Sequence, residues 1–83
     1  IFLDNETLTS TSFEKITNVL IKNNITERET EIIVLILDSY TNKEISDSLF
    51  ISEGTVKNHI YNIYKKLNVR NRTELVNYLK PLD

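Results

Sequence analysis

The sequence predicts an all-α protein: a compact four-helix bundle over residues 25–83, with an extra N-terminal linker or helix over residues 1–24. The 83 residues include one glycine and one proline, too few for the tight hairpins of a small β protein. Residues typical of helix N-caps recur along the chain, and apolar residues at helical spacing follow them. A chain this short forms one hydrophobic core. We therefore expect a single bundle with no deep enzymatic cleft.

The N-terminal 24 residues carry the weakest helical pattern. Residues 1–10 show no apolar periodicity, which is typical of a linker. Thr11 and Glu14 have the spacing of a capping box, in which each side chain bonds to the backbone of the other residue. The apolar residues that follow fit a helix over residues 12–22, and Asn23 is a suitable end for it. The segment is therefore interpreted as a linker with a helix over 12–22 as its one candidate element.

Two further capping boxes begin at Thr26 and Thr41, since a glutamate follows each of them after three residues. The first of these helices contains the entirely apolar run 32–37, so it must be largely buried. The second helix is only about two turns long, and Ile45 and Leu49 share one of its faces.

The longest predicted helix covers about residues 53–67 and has Ser52 as its N-cap. Its apolar side chains recur at spacings of four, three and four: Val56, Ile60, Ile63 and Leu67. Asn71 and Glu74 cap the last helix, and Pro81 prevents it from continuing. The apolar stripe of that helix buries either against the bundle or against a second copy of the chain: Leu75, Val76 and Leu79.

Residues 42–60 have the organisation of a helix-turn-helix, with a short helix, a turn at residues 50–52 and a longer helix. The small Ser46 lets the two helices cross closely, so the second helix is presented outward at a fixed angle. An α-helix fits the major groove of DNA, where its exposed N-terminal half reaches base edges. We expect Lys57 to donate to guanine or phosphate and Asn58 to pair with adenine.

The charge is spread unevenly, although the net charge is only −2. Residues 1–53 carry ten acids and four bases, whereas residues 54–73 carry five bases and no acid. We interpret the second segment as an electropositive face, while helix starts at Thr41 and Ser52 would hold phosphates. The predicted DNA-contacting residues are Thr41, Asn42, Lys43, Ser52, Glu53, Thr55, Lys57, Asn58, Tyr61, Lys65, Lys66, Arg70 and Arg72.

Over about residues 25–80, several segments in fixed order resemble the LuxR/FixJ/NarL-type DNA-binding domain of bacterial transcription regulators. They are Ile25-Thr26-Glu27-Arg28-Glu29, Asn42-Lys43-Glu44-Ile45, Ile51-Ser52-Glu53-Gly54-Thr55-Val56-Lys57-Asn58-His59 and Lys66-Leu67-Asn68-Val69 with Arg72 after it. The family commonly has glycine where Ser39 stands and alanine where Ser46 stands. Ser39 is expected to cost a little stability at the end of the helix before it.

The lack of cysteine and of a long apolar run predicts an intracellular, cytoplasmic protein. The resemblance implies an output domain that binds pseudo-palindromic promoter DNA as a dimer, through the helix containing Lys57. It implies a dimer contact through the final helix, on the stripe named above: Leu75, Val76 and Leu79. In the full-length protein, an N-terminal sensory or receiver domain would control the output, and RNA polymerase is a further candidate partner.

Other classes of function are less well supported by the residues. A promoter-binding region of a sigma-type factor shares the helix-turn-helix, but residues 66–69 and the capped last helix favour the LuxR-type interpretation. A protein-interaction module that had lost DNA binding finds support only in the acidic total charge. The absence of cysteine, with His59 as the one histidine, excludes disulfides and thiolate zinc sites. No nucleophile and base pair or glycine-rich phosphate loop can be assembled, so we expect no catalysis, metal or cofactor.

Overall fold

The computed structural model describes residue 14 and residues 16–79. Residues 16–22 are helical, and no strand occurs within the described ranges, so the predicted all-α class is confirmed. Four helices follow: α1 (Glu27–Leu37), α2 (Asn42–Leu49), α3 (Glu53–Leu67) and α4 (Arg72–Leu79). Most of the predicted linker and the first part of the helix predicted over 12–22 lie outside the described residues.

Reciprocal capping boxes fix the starts of α1 and α2. The amides of Glu29 and Glu44 donate to the hydroxyls of Thr26 and Thr41, both at 3.1 Å. In return, the Glu29 and Glu44 carboxylates accept from the Thr26 and Thr41 amides at 2.9 and 2.8 Å. Each box satisfies backbone amides that the first turn of a helix leaves unpaired. Both predicted capping boxes are therefore confirmed.

One apolar stripe from each helix enters a common core. Its buried members are Leu20, Ile32, Ile33, Ile36, Ile45, Val56, Ile60, Ile63, Leu67, Leu75 and Leu79. The side chains of Leu75 and Leu79 are therefore buried within the bundle. This is one of the two alternatives given above, and the other is burial against a second copy of the chain. Val76 lies half-buried at the edge of the core. A dimer contact through Leu75 or Leu79 would require the core to open.

Left-handed residues end each of the helical segments before α4. They are Asn24 (φ 59°), Ser39 (φ 67°), Phe50 (φ 58°) and Asn68 (φ 58°). At the end of α1, the Ser39 amide donates to the Ile36 carbonyl at 2.9 Å and the Tyr40 amide to the Leu35 carbonyl at 3.0 Å. These two bonds form a Schellman motif, which turns the chain sharply without glycine. Ser39 thus adopts the conformation that glycine adopts at no steric cost.

We expect Ser39→Gly to raise the free energy of unfolding by about 0.5–1 kcal/mol, because the left-handed backbone strains a residue with a Cβ. Urea denaturation of the 83-residue chain measures the change. Ser48→Gly is the matched control, since Ser48 is exposed within α2 and glycine there should lower stability by about 0.5 kcal/mol. Equal losses in both variants would contradict the strain at Ser39.

Candidate nucleic-acid interface

The α2–α3 pair forms the predicted helix-turn-helix. Ile45 and Ser46 are buried, and the Ser46 hydroxyl donates to the Lys43 carbonyl at 2.8 Å, so the polar atom is satisfied within α2. The Ile51 amide donates to the Ser46 carbonyl at 3.1 Å while Phe50 turns the chain in the left-handed region. Backbone bonds therefore close the turn, and they fix the direction in which α3 leaves it.

The start of α3 is held by Ser52. Its hydroxyl accepts from the Thr55 amide at 3.0 Å and donates to the Thr55 hydroxyl at 2.9 Å. The helix begins at Glu53 and ends at Leu67, as predicted. Because both hydroxyls lie at the exposed end of α3, they are available to a group that approaches this helix start.

One face of α3 is buried and the opposite face is open. Val56, Ile60, Ile63 and Leu67 enter the core, whereas the exposed residues of the first turns are Glu53, Gly54, Thr55, Lys57, Asn58 and Tyr61. The Lys65 ammonium lies 5.4 Å from the centroid of the Tyr61 ring, within range of a cation–π interaction. The exposed face therefore presents hydrogen-bonding and positively charged groups on a helix that the core holds in place.

Lys57 and Lys65 make no ion pair with a carboxylate within residues 16–79. The other three bases of the electropositive segment bond to other groups of the same chain: Lys66, Arg70 and Arg72. The Arg70 side chain is 87% exposed and pairs with Glu74. Arg70 Nη2 lies 3.1 Å from Glu74 Oε2, and the Arg70 amide donates to Glu74 Oε1 at 2.7 Å. These bonds lower the pKa of Glu74, the backbone bond most strongly. The predicted capping box of α4 therefore forms only in part. The Asn71 side chain accepts from the Glu74 amide at 2.9 Å, but the Glu74 carboxylate accepts from the Arg70 amide.

Lys66 joins the end of α3 to the start of α1. Its Nζ lies 2.7 Å from Glu29 Oε1 and 3.0 Å from the Asn24 carbonyl oxygen. The Glu29 side chain is only 5% exposed, against 30% for Lys66. Burial raises the pKa of Glu29, but the Lys66 ammonium and the bonds from Thr26 outweigh it, so the pKa lies below its ordinary value. Glu29 therefore stays ionised with its charge compensated.

Arg72 joins the start of α4 to the residues around the start of α2. Its Nη1 donates to Asn42 Oδ1 at 3.3 Å, and its Nη2 donates to the Tyr40 carbonyl oxygen. The side chain is half-buried. On the α2 side, Lys43 is exposed and its Nζ lies 3.5 Å from Asp47, a pair that solvent screens strongly.

The sequence prediction missed the intramolecular bonds of Arg70, Lys66 and Arg72, although one of the three has a local signal. Arg70 and Glu74 are four residues apart on the edge of a helix, a spacing that indicates an ion pair. Lys66 and Glu29 are 37 residues apart, and Arg72 and Tyr40 are 32 residues apart. No local pattern joins residues at such separations. Among the predicted DNA-contacting residues, Lys66 and Arg72 thus hold separate helices together, whereas Lys57, Asn58, Tyr61 and Lys65 form an exposed group on α3.

Other kinds of site are not formed by the described residues. Within residues 14 and 16–79, no group of three His, Cys, Asp or Glu side chains is placed to hold a metal ion. In the same ranges, no helix combines the length and the apolar character needed to cross a membrane.

The sequence of this chain is similar to the sequences of known proteins. The family model described as "Bacterial regulatory proteins, luxR family" matches residues 23–79. The transcriptional regulatory protein DegU of Brevibacillus brevis is 50% identical over 52 residues, 63% of this chain and 22% of DegU. The transcriptional regulatory protein LiaR of Bacillus subtilis is 49% identical over 61 residues, 74% of this chain and 29% of LiaR.

The spore germination protein GerE of Bacillus subtilis is 48% identical over 52 residues, which cover 63% of this chain and 70% of GerE. The chain thus spans under a third of DegU and LiaR but most of GerE. Because the family match extends over all four helices, from α1 to α4, this chain belongs to the luxR family of bacterial regulatory proteins.

Proposed function

We propose that this chain is the DNA-binding output domain of a transcription regulator and that it recognises double-stranded DNA with α3 in the major groove. The observation that carries the proposal is the exposed polar face at the start of α3, on a helix whose other face is fixed in the core. A helix so presented matches the width of the major groove. Family membership and relatives named as transcriptional regulatory proteins support the same function.

Lys57 and Asn58 are the proposed base-reading residues. Both are exposed on the first two turns of α3, where recognition helices contact base edges. The Lys57 ammonium can donate to guanine O6 and N7, and the Asn58 amide can pair with adenine N6 and N7. Tyr61 and Lys65 extend the same face and would contact the adjacent sugar-phosphate backbone.

The backbone contacts are assigned to the starts of the two helices of the helix-turn-helix, α2 and α3. Exposed hydroxyls and an ammonium lie there: Thr41, Lys43, Ser52 and Thr55. Such contacts fix the register of a protein on the duplex without reading sequence. Glu53, at the first position of α3, would keep the helix from approaching a phosphate directly at that point. Arg70 remains a candidate for the flanking backbone because its guanidinium is exposed despite its pair with Glu74.

Assembly and control are proposed from the family and from the relatives' length. A dimer would place two copies of α3 in successive major-groove turns of a pseudo-palindromic site. On α4, Val76 is half-buried and Tyr78 is exposed, so these side chains replace Leu75 and Leu79 as the proposed contact. A receiver or sensory domain would control the dimer in a longer protein, and the regulator would act in the cytoplasm with RNA polymerase.

We expect Lys57→Ala to weaken binding to a selected duplex by roughly ten- to a hundredfold, the effect of about 1–3 kcal/mol for removal of a base-reading side chain. Duplexes are first selected from a random-sequence pool, and the variants are then titrated at several salt concentrations. Lys22→Ala is the matched control, since Lys22 is exposed in the segment before α1. It removes the same charge away from the proposed interface and should leave the affinity nearly unchanged.

Other outcomes would favour the alternative functions. Binding to duplexes only when RNA polymerase is present would favour a sigma-type promoter-binding role. No binding to any duplex at low salt would favour a protein-interaction module. Equal losses in Lys57→Ala and Lys22→Ala would indicate that charge alone, without α3 in the groove, drives the association.

A further inference from the structure

Arg72 lies where three parts of the bundle meet. It is the first residue of α4, and its guanidinium reaches the Tyr40 carbonyl and the Asn42 side chain. Burial raises the pKa of Tyr64 in α3, and the charge of Arg72 opposes that rise. One half-buried cation therefore borders the start of α2 and the start of α4, and its charge acts on the C-terminal half of α3.

The two acceptors of Arg72 flank Thr41, the N-cap of α2. Thr41 itself is held by the capping box with Glu44. On the other side, the Tyr40 amide is already bonded to the Leu35 carbonyl at the end of α1. Arg72 thus completes the set of bonds that define the connection between α1 and α2. The planar guanidinium donates to the two acceptors from two nitrogens, Nη1 and Nη2, whereas a lysine would have to reach both acceptors from its single Nζ.

The connection between α1 and α2, which the Arg72 bonds hold, lies beside residues that we propose contact DNA. Thr41 and Lys43 are exposed beside it, and phosphate contacts require donors in a fixed register along the duplex. Loss of the Arg72 bonds would free the residues before α2 to move relative to α4, whose buried residues share one core with α3. The hydrogen-bond donors at the starts of α2 and α3 could then no longer contact phosphates of the same duplex at the same time.

We propose that Arg72 is a positioning residue for DNA binding, which fixes Thr41, Asn42 and Lys43 against the start of α4 and does not itself bind a phosphate. This inference rests on the proposed function, and it differs from the role that the sequence predicted for Arg72. A phosphate-binding role and a positioning role make different predictions for the salt dependence of binding. Removal of one phosphate-binding cation lowers the slope of log Kd against log salt by about one.

We expect Arg72→Gln to weaken binding by about tenfold, as for removal of one charge-assisted hydrogen bond, with the salt slope unchanged. Arg72→Lys should fail to restore the affinity, although it keeps the charge. Lys43→Gln is the matched control, and its salt slope should fall by about one. A slope that falls by about one in Arg72→Gln, together with normal binding by Arg72→Lys, would overturn the inference.

Hydrogen exchange tests the same bonds without DNA. In Arg72→Lys, the hydrogen-bonded amides of Tyr40 and Glu44 should exchange faster than in the wild type, whereas those in the centre of α3 should not. Unchanged exchange at residues 40 and 44 would overturn the positioning role. A wild-type chain that binds no duplex would instead contradict the proposed function, so the two failures are distinguishable. Global unfolding of a variant would appear as faster exchange in every helix, and Arg72 would then serve stability and not position.

Discussion

Leu75→Ala is expected to lower the free energy of unfolding by about 3 kcal/mol, because it leaves a cavity that the surrounding side chains only partly fill. Leu75 is 0% exposed and lies in the common core. Small domains have a total stability of about 5–15 kcal/mol, so the variant would lose a large part of it. Urea denaturation at two protein concentrations, about tenfold apart, measures the loss.

The two concentrations separate the core from a dimer interface. A side chain buried within one chain contributes equally at both concentrations, whereas an interface contribution grows with concentration. Val76→Ala is the matched control from the same stripe, and its loss should stay below about 1 kcal/mol because Val76 is only half-buried. A loss in Leu75→Ala that depends on concentration would contradict its assignment to the core.

Lys66→Ala is expected to lower the free energy of unfolding at neutral pH by about 2 kcal/mol. Removing one partner of a fully buried ion pair costs about 3–5 kcal/mol, and the partial exposure of Lys66 reduces that figure. The Glu29 carboxylate would keep its bond to the Thr26 amide but lose its compensating charge. Thermal or urea denaturation measures the effect, with Lys65→Ala as the control because Lys65 is exposed beside it.

The pH dependence identifies Glu29 as the cause. Its pKa in the folded chain is lowered, so its ionisation stabilises the wild type above its ordinary pKa, and this stabilisation is lost as the pH falls through the lowered value. In Lys66→Ala, burial is no longer opposed by the ammonium, and the pKa rises. The difference between wild type and variant should therefore shrink in acid. A constant difference at every pH, or an equal loss in Lys65→Ala, would contradict this role for Glu29.

The helix boundaries could be predicted because their causes are local. A cap at Thr26 or Thr41 and its glutamate lie within four residues, and the apolar spacing of α3 continues over its whole length. The roles of Lys66 and Arg72 could not be predicted, since their partners are 37 and 32 residues away. Both cations lie in a segment that has bases and no acid, and this excess of positive charge led to the prediction of a free electropositive face. Only the fold shows which charges are already bonded.

The turn of the helix-turn-helix shows a second limit of local patterns. Its length was predicted correctly, but Phe50 carries no signal for a left-handed backbone, a conformation that favours glycine or asparagine. The side chain is 93% exposed, and nothing in the described structure explains an aromatic residue there. Ser39 was recognised as a departure from glycine, and the structure places it in the left-handed region that glycine favours.

The bond between Lys66 and the Asn24 carbonyl has a mechanical consequence. Residue 24 is the last turn residue before the chain enters the capped start of α1, and Lys66 lies in the last turn of α3. A pull on the polypeptide before residue 24 therefore reaches the C-terminal end of α3 by two routes, through the Lys66 ammonium and through Leu20 in the apolar core. The polar route is the shorter one, because a single side chain joins the backbone at residue 24 to the last turn of the longest helix.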